Sequence, residues 1–113
     1  EHAVTAERVR CRLIVESDFE AICDLLCEGF PGHARAWWRK GLDQLAGRAA
    51  PDTMPRYGYC LDTGSKLVGL ILLIASTRET ENGPAPFCNV ASWYVMPAHR
   101  GYAQLLVSMA LKH

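Results

Sequence analysis

Apolar and polar positions change rhythm several times along the chain, and each rhythm predicts an element. Over 9–15, Val9, Cys11, Leu13 and Val15 alternate with Arg10, Arg12 and Ile14, the period-two pattern of a half-buried strand. Ser17-Asp18-Phe19-Glu20 comes next. A Ser accepting from a first-turn N–H while Glu reaches back is a capping box, so a helix is expected from near Asp18. Phe19, Ile22, Cys23, Leu26 and Cys27 then form one apolar stripe, and Gly29 is placed to end it. After the break at Pro31-Gly32, residues 34–46 carry Trp37, Trp38, Leu42 and Leu45 at helical spacing, with Gly47 as a stop. Residues 48–55, with Pro51 and Pro55, read as a loop.

The second half of the chain changes to strand patterns. Tyr57, Tyr59 and Leu61 alternate, and Asp62-Thr63-Gly64-Ser65 supplies a turn into the apolar run at 66–76, so a hairpin is expected. Residues 77–86 (TRETENGPAP) are polar and rich in Pro and Gly, which predicts a longer surface loop. A fourth strand is expected at 87–95 and a third helix at 101–112, with Leu105, Leu106, Met109 and Ala110 turned inward. The order β-α-α-β-β-β-α predicts an α+β fold, a mainly antiparallel sheet with helices packed on it. Residues 1–8 read as a loose N-terminal segment and 9–113 as a single domain. The start at Glu1, without Met, reads as a processed, trimmed or tagged end.

Composition narrows the function classes. Twelve basic and twelve acidic side chains cancel, which removes the basic footprint of a nucleic-acid partner. The longest apolar run, LVGLILLIA at 67–75, falls short of the about 20 residues a membrane span needs, so it reads as a buried strand and no membrane partner is expected. No signal peptide is visible. The five cysteines are odd in number and form no C-x-x-C pair. Reduced, packed thiols and a cytoplasmic location are therefore expected. No His/Asp/Glu set has the spacing of a metal site.

Candidate chemistry gathers in the last stretch, SWYVMPAHRGYAQLLVSMALKH. A strand that runs through a short Gly-containing loop into a helix sets backbone N–H groups at the helix start, where they and the helix dipole suit a phosphate. Arg100 adds a cation, and Gly101 lets the chain approach a ligand closely. The segment V-M-P-A-H-R-G-Y-A-Q-L-L (95–106) resembles the acyl-CoA-binding motif of GNAT-type N-acyltransferases, approximately V-x-P-x-x-R-G-x-G-x-G-x-x-L. The element order from about Val9 onward also resembles the first half of that fold.

The resemblance implies transfer of an acyl group from acetyl-CoA, or another acyl-CoA, to a small-molecule or peptide amine. It implies that backbone N–H groups of Arg100, Gly101, Tyr102, Ala103, Gln104 and Leu105 hold the pyrophosphate. Trp93 and Val95, at the end of the fourth strand, would bond the pantetheine arm and polarise the thioester carbonyl for direct attack by the amine. Two features depart from the family. Ala103 and Leu105 stand where its later glycines fall. Its fifth strand, and a further helix that often carries a Tyr, would lie beyond His113. The chain is therefore expected to be a domain incomplete at its C-terminus, weakly active or inactive, with an exposed fourth-strand edge that pairs two copies into a homodimer.

Other residues receive plainer expectations. His99 reads as an exposed loop residue, His33 as a helix-start residue, and Arg35 and Arg39 as a solvated face. Trp37 and Trp38 are adjacent on a helix, so one is expected in the core. A structural role is expected for both; the alternative is that the other lines a substrate groove or an interface, because this helix borders the acceptor site in the family the chain resembles. Asn89 and Ser92 lie on the strand where many members carry a Glu base, and no catalytic residue is assigned. The alternative from another class is a non-catalytic GNAT-like module that binds CoA or a protein.

Overall fold

The computed structural model describes residues 8–48 and 55–112. The segment at 1–7 and most of the expected loop at 48–55 lie outside the described residues. The elements are β1 (Arg10–Leu13), α1 (Phe19–Gly29), α2 (Arg35–Ala46), β2 (Gly58–Asp62), β3 (Leu67–Thr80), β4 (Gly83–Val95) and α3 (Ala103–Ala110). Their order is the one the periodicities predict. The strands form a four-stranded sheet in the order β1-β2-β3-β4, every neighbour antiparallel.

Over 58–61 and 68–73 the two inner strands are buried on both faces, which is why these stretches read as near-continuous apolar runs. On one face, Phe19, Ile22, Leu26, Trp38 and Leu42 of α1 and α2 pack against Tyr57, Cys60, Leu70 and Leu72. On the other, Leu106 of α3 packs against Tyr59, Leu61, Val68, Ile71, Leu73 and Val95. No helix among the described residues is long and apolar enough to cross a membrane.

Four local expectations are corrected. First, β1 ends at Leu13, and the alternation does not hold to 15: Ile14 is buried, while Leu13 and Val15 are exposed. The Ile14 N–H donates to the Gly58 carbonyl at 3.0 Å, which turns this residue under α1. Second, Ser17 is not the cap. Residues Glu16–Asp18 form a 3₁₀ turn, and the Asp18 carboxylate accepts from the Val15 N–H at 2.8 Å. Arg12 holds that carboxylate with two bonds, at 2.8 and 2.9 Å, and reaches Asp62 through Nε at 2.9 Å. A fork-shaped guanidinium matches a carboxylate better than a hydroxyl does, so the charged pair decides the local geometry.

Third, residues 77–86 are not a loop. β3 continues to Thr80 and β4 begins at Gly83, so Thr80 pairs with Gly83 across a two-residue turn. Gly83 takes φ 98°, a conformation glycine adopts without steric cost. Pro84 and Pro86 fall on alternate positions of this edge strand, where the missing N–H removes no ladder bond. Fourth, the last helix does not start at 101. Residues Pro97–Tyr102 form a 3₁₀ turn before α3. That shift leaves Leu106 fully buried and Leu105 41% exposed, against the expectation that both face inward.

Candidate functional site

β4 is the element that builds the site. Leu72 pairs with Ser92 and Leu73 with Val90, so Ala91 is an extra residue, a bulge that bends the strand and re-aims the residues after it. The strand stops at Val95, and Pro97 opens the 3₁₀ turn. The turn brings Arg100 back over the strand end, where its Nε donates to the Val95 carbonyl at 3.1 Å. A cavity of about 230 Å³ results, lined by Trp93, Tyr94, Val95, Arg100 and Ala103.

Four of the residues singled out in the sequence therefore converge: Trp93, Val95, Arg100 and Ala103. Gly101, Tyr102, Gln104 and Leu105 are exposed on the turn and the first turn of α3, outside that lining. A Cβ at Gly101 would meet nothing within 4 Å, so the space beside this backbone is open. The first turns of the 3₁₀ segment and of α3 carry no acidic residue, while His99 and Arg100 lie in the 3₁₀ segment. An anion arriving here meets helix-start N–H groups and a guanidinium. The Ala103 N–H is already bonded to the Arg100 carbonyl. The residues present fit a pyrophosphate at the open side of the turn. His99 is half-buried rather than exposed as expected, its ring 6.4 Å from that of Tyr102.

Tyr94 is a lining residue that sequence reasoning missed. Its hydroxyl donates to Glu28 Oε2 at 2.6 Å, and its ring covers Gly29, where a Cβ would sit 2.5 Å from Cδ1. The bond to Glu28, followed by burial, pushes the phenol pKa up, so the hydroxyl stays protonated at neutral pH. The one local hint was Gly29 at the helix end, and nothing in its spacing identifies the ring above it.

A second cavity, of about 310 Å³, opens between α2 and the bulged part of the sheet, walled by Trp37, Trp38, Leu42, Leu45, Leu72 and Ile74, with Ala91 and Ser92 at its β4 side. Of the adjacent tryptophans, Trp38 is buried and Trp37 is 53% exposed, as the helical geometry requires. Trp37 stacks on His33 at 3.8 Å between centroids, with the rings 10° apart. Arg35 and Arg39 are more than a solvated face. Arg39 pairs with Glu20 at 2.6 Å and Asp43 at 3.2 Å, and Arg35 with Glu20 at 2.6 Å and with Asp24. Among the described residues, neither the cavity at the end of β4 nor this one is lined by Asp, Glu or His. Cys11, Cys23, Cys27 and Cys60 are free thiols, and burial pushes Cys60 up to about 12. No cluster of three metal-ligating side chains occurs among the described residues.

No family model and no curated protein sequence matches the chain. Solved structures do. An aminoglycoside N-acetyltransferase, AAC(6')-Iy, in complex with CoA superposes with a TM-score of 0.68 at 15% identity, over 98% of this chain and 72% of its own. A GNAT family acetyltransferase from Staphylococcus aureus gives 0.66 at 20% identity, over 92% of this chain and 76% of its own. A transcriptional regulator from Bacillus halodurans gives 0.68 at 14% identity, over 93% and 73%. The chain thus has the GNAT fold, an α+β architecture shared over about three-quarters of those neighbours' length.

Proposed function

We propose that the protein is an acyl-CoA-dependent N-acyltransferase, with acetyl-CoA as the first donor to test and a primary amine, small-molecule or peptide, as acceptor. The observation that carries this reading is the convergence of Trp93, Val95, Arg100 and Ala103 on one cavity at the end of β4, in a fold shared with an acetyltransferase solved with CoA. The pyrophosphate would lie on the open side of the turn at Gly101. Arg100 would leave the Val95 carbonyl to meet it, exchanging a neutral acceptor for an anionic one. The freed end of β4 would then bond the pantetheine amide. The amine nitrogen attacks the thioester carbon, the C–N bond forms, the C–S bond breaks, and the thiolate takes up the proton that the nitrogen gives up.

Positioning accounts for most of such a rate. Because no carboxylate or imidazole among the described residues lines either cavity, no catalytic base is assigned, and turnover is expected to be weak unless the amine arrives neutral. A cytoplasmic location and a homodimer belong to the same reading. Among the described residues β4 has a neighbour on one side only, and an unpaired edge is a template for a second copy.

Calorimetric titration with acetyl-CoA tests the proposal, with Arg100→Ala/Gly101→Pro as the control. Saturable binding in the parent, lost in the control with the fold intact by circular dichroism, supports it. Absence of heat from a folded parent protein overturns it. The fold match to a transcriptional regulator favours a second reading, a module that binds CoA or a protein without turnover. Binding without acyl transfer across an amine panel selects that reading.

A further inference from the structure

The groove between α2 and the bulged sheet carries information about its guest. We infer that the acceptor is a hydrophobic amino-acid-like amine, one with an apolar or aromatic body and a carboxylate, rather than a polycationic amine. Acyl transfer to this guest rests on the function proposed above; binding of the guest in the groove stands on the groove alone.

Three observations support it. The cavity of about 310 Å³ is walled mainly by indole and aliphatic side chains, at the small end of the roughly 300–1,000 Å³ of ligand pockets. Its charges have one sign. Arg48 lines this cavity, and Lys40 lines a neighbouring one of about 360 Å³ that shares Trp37, Gly41 and Gln44 with it. Positions 37, 40, 41 and 44 match the three- and four-residue spacing of a single helix face, and Arg48 follows just past the helix end. The acids near α2 lie elsewhere, with Glu20, Asp24 and Asp43 occupied by Arg35 and Arg39. Each ammonium of a polycation would enter against like charge with no carboxylate among the described lining residues, whereas a single carboxylate has two cations to meet.

The third observation is Gly41. Glycine weakens the middle of a helix, and here no packing demands it, since a Cβ would meet nothing within 4 Å. What its missing side chain does is keep the groove open. Ser92 lines this groove and Trp93 lines the cavity at the end of β4. Those two consecutive side chains face opposite ways, but Tyr94, two residues on from Ser92 along the same face, also lines the cavity at the strand end. A guest amine at the β4 end of the groove would therefore lie about 7 Å from the strand end where the thioester would be placed.

The test monitors tryptophan fluorescence of the protein during titration with L-phenylalanine, L-phenylalaninamide and neamine, alongside a separate acetyl-CoA titration. Phenylalanine is expected to bind saturably. The amide and the Arg48→Glu variant should each weaken binding about tenfold, as loss of a charge-assisted contact would. Gly41→Leu should abolish binding while leaving acetyl-CoA affinity and the circular dichroism spectrum unchanged. Neamine binding as tight as phenylalanine, no phenylalanine binding, or unchanged phenylalanine affinity in folded Gly41→Leu overturns the inference. Acetyl-CoA binding without phenylalanine binding sinks this inference alone. Phenylalanine binding without acetyl-CoA binding sinks the acyltransferase reading and leaves the groove's preference standing.

Discussion

One sheet presents two faces that are closed very differently. Against the first, α1 and α2 bury Phe19, Ile22, Cys23, Leu26 and Leu42 almost completely. Against the second, the short α3 contributes one fully buried side chain, Leu106. The strand partners show the contrast residue by residue. Ile71 and Leu73 are buried beneath α3, yet Trp93 and Val90, which pair with them across the ladder, are 46% and 58% exposed. Directly opposed residues share a face, so burial on this side stops within one strand's width. The first face provides stability. The second leaves β4 accessible, and the cavity at its end lies there.

The largest effects are expected at the central side chain of each face. Phe19→Ala removes a ring that meets Tyr57 edge-on at 5.1 Å and lies under the Arg39 guanidinium at 5.4 Å. It should cost about 3–5 kcal/mol in urea denaturation, if the variant folds at all. Leu106→Ala should cost less, about 2–3 kcal/mol, because the thin cover of α3 can settle into the space. It should weaken acetyl-CoA binding, which Phe19→Val would leave unchanged. Equal losses for the two alanine variants would mean that α3 carries as much of the fold as α1 and α2 together.

A pair of glycines probes the same contrast at smaller scale. Gly29→Ala would place a Cβ 2.5 Å from the Tyr94 ring, which the bond from its hydroxyl to Glu28 at 2.6 Å holds in place. The overpacking should cost about 1–3 kcal/mol and disturb a wall of the β4 cavity. Gly101→Ala meets nothing within 4 Å. Its stability should stay within about 0.5 kcal/mol of the parent, with the effect confined to acetyl-CoA affinity. Chemical denaturation and calorimetry on the two variants separate packing from binding.

Legibility in the sequence obeys the same division. Where a face is buried, periodicity records it: the Phe19–Cys27 stripe, the in-and-out tryptophan pair and the apolar run of β3 all read correctly. Where the ladder projects beyond the helices, as at Thr77–Thr80, neither face is buried, so no period exists and polar composition reads as a loop. Gly83 after Asn82 was the usable signal, because a glycine in the left-handed region just past a turn closes a hairpin. At the site, Pro97, Arg100 and Gly101 marked the turn through local chemistry. The return of Arg100 to Val95 and the bond from Tyr94 to Glu28, 66 residues apart in sequence, depend on tertiary placement that no short motif encodes.

A further effect, electrostatic rather than steric, concerns the seam that both faces share. Arg12 of β1 joins the start of α1 through Asp18 and the end of β2 through Asp62. Its hydrogen bonds are the main reason the Asp18 carboxylate is held below its ordinary value, with burial opposing and the Val15 N–H assisting. A carboxylate whose folded pKa is depressed adds stability above its unfolded pKa, and that contribution fades as pH falls through the folded value. Arg12→Met should therefore cost about 1 kcal/mol at neutral pH, discounted because the Arg12 side chain is 31% exposed. The gap between variant and parent should close below about pH 4, as Asp18 protonates in both. Asp62 should retain some acid sensitivity in the variant, because the Gly64 N–H is the larger cause of its lowered pKa and survives the change. Acetyl-CoA affinity should not move, since the seam touches neither cavity's lining. Stability curves that stay parallel from about pH 7 to about pH 3 would show that the Arg12–Asp18 pair adds nothing net, and that the two faces are joined by packing alone.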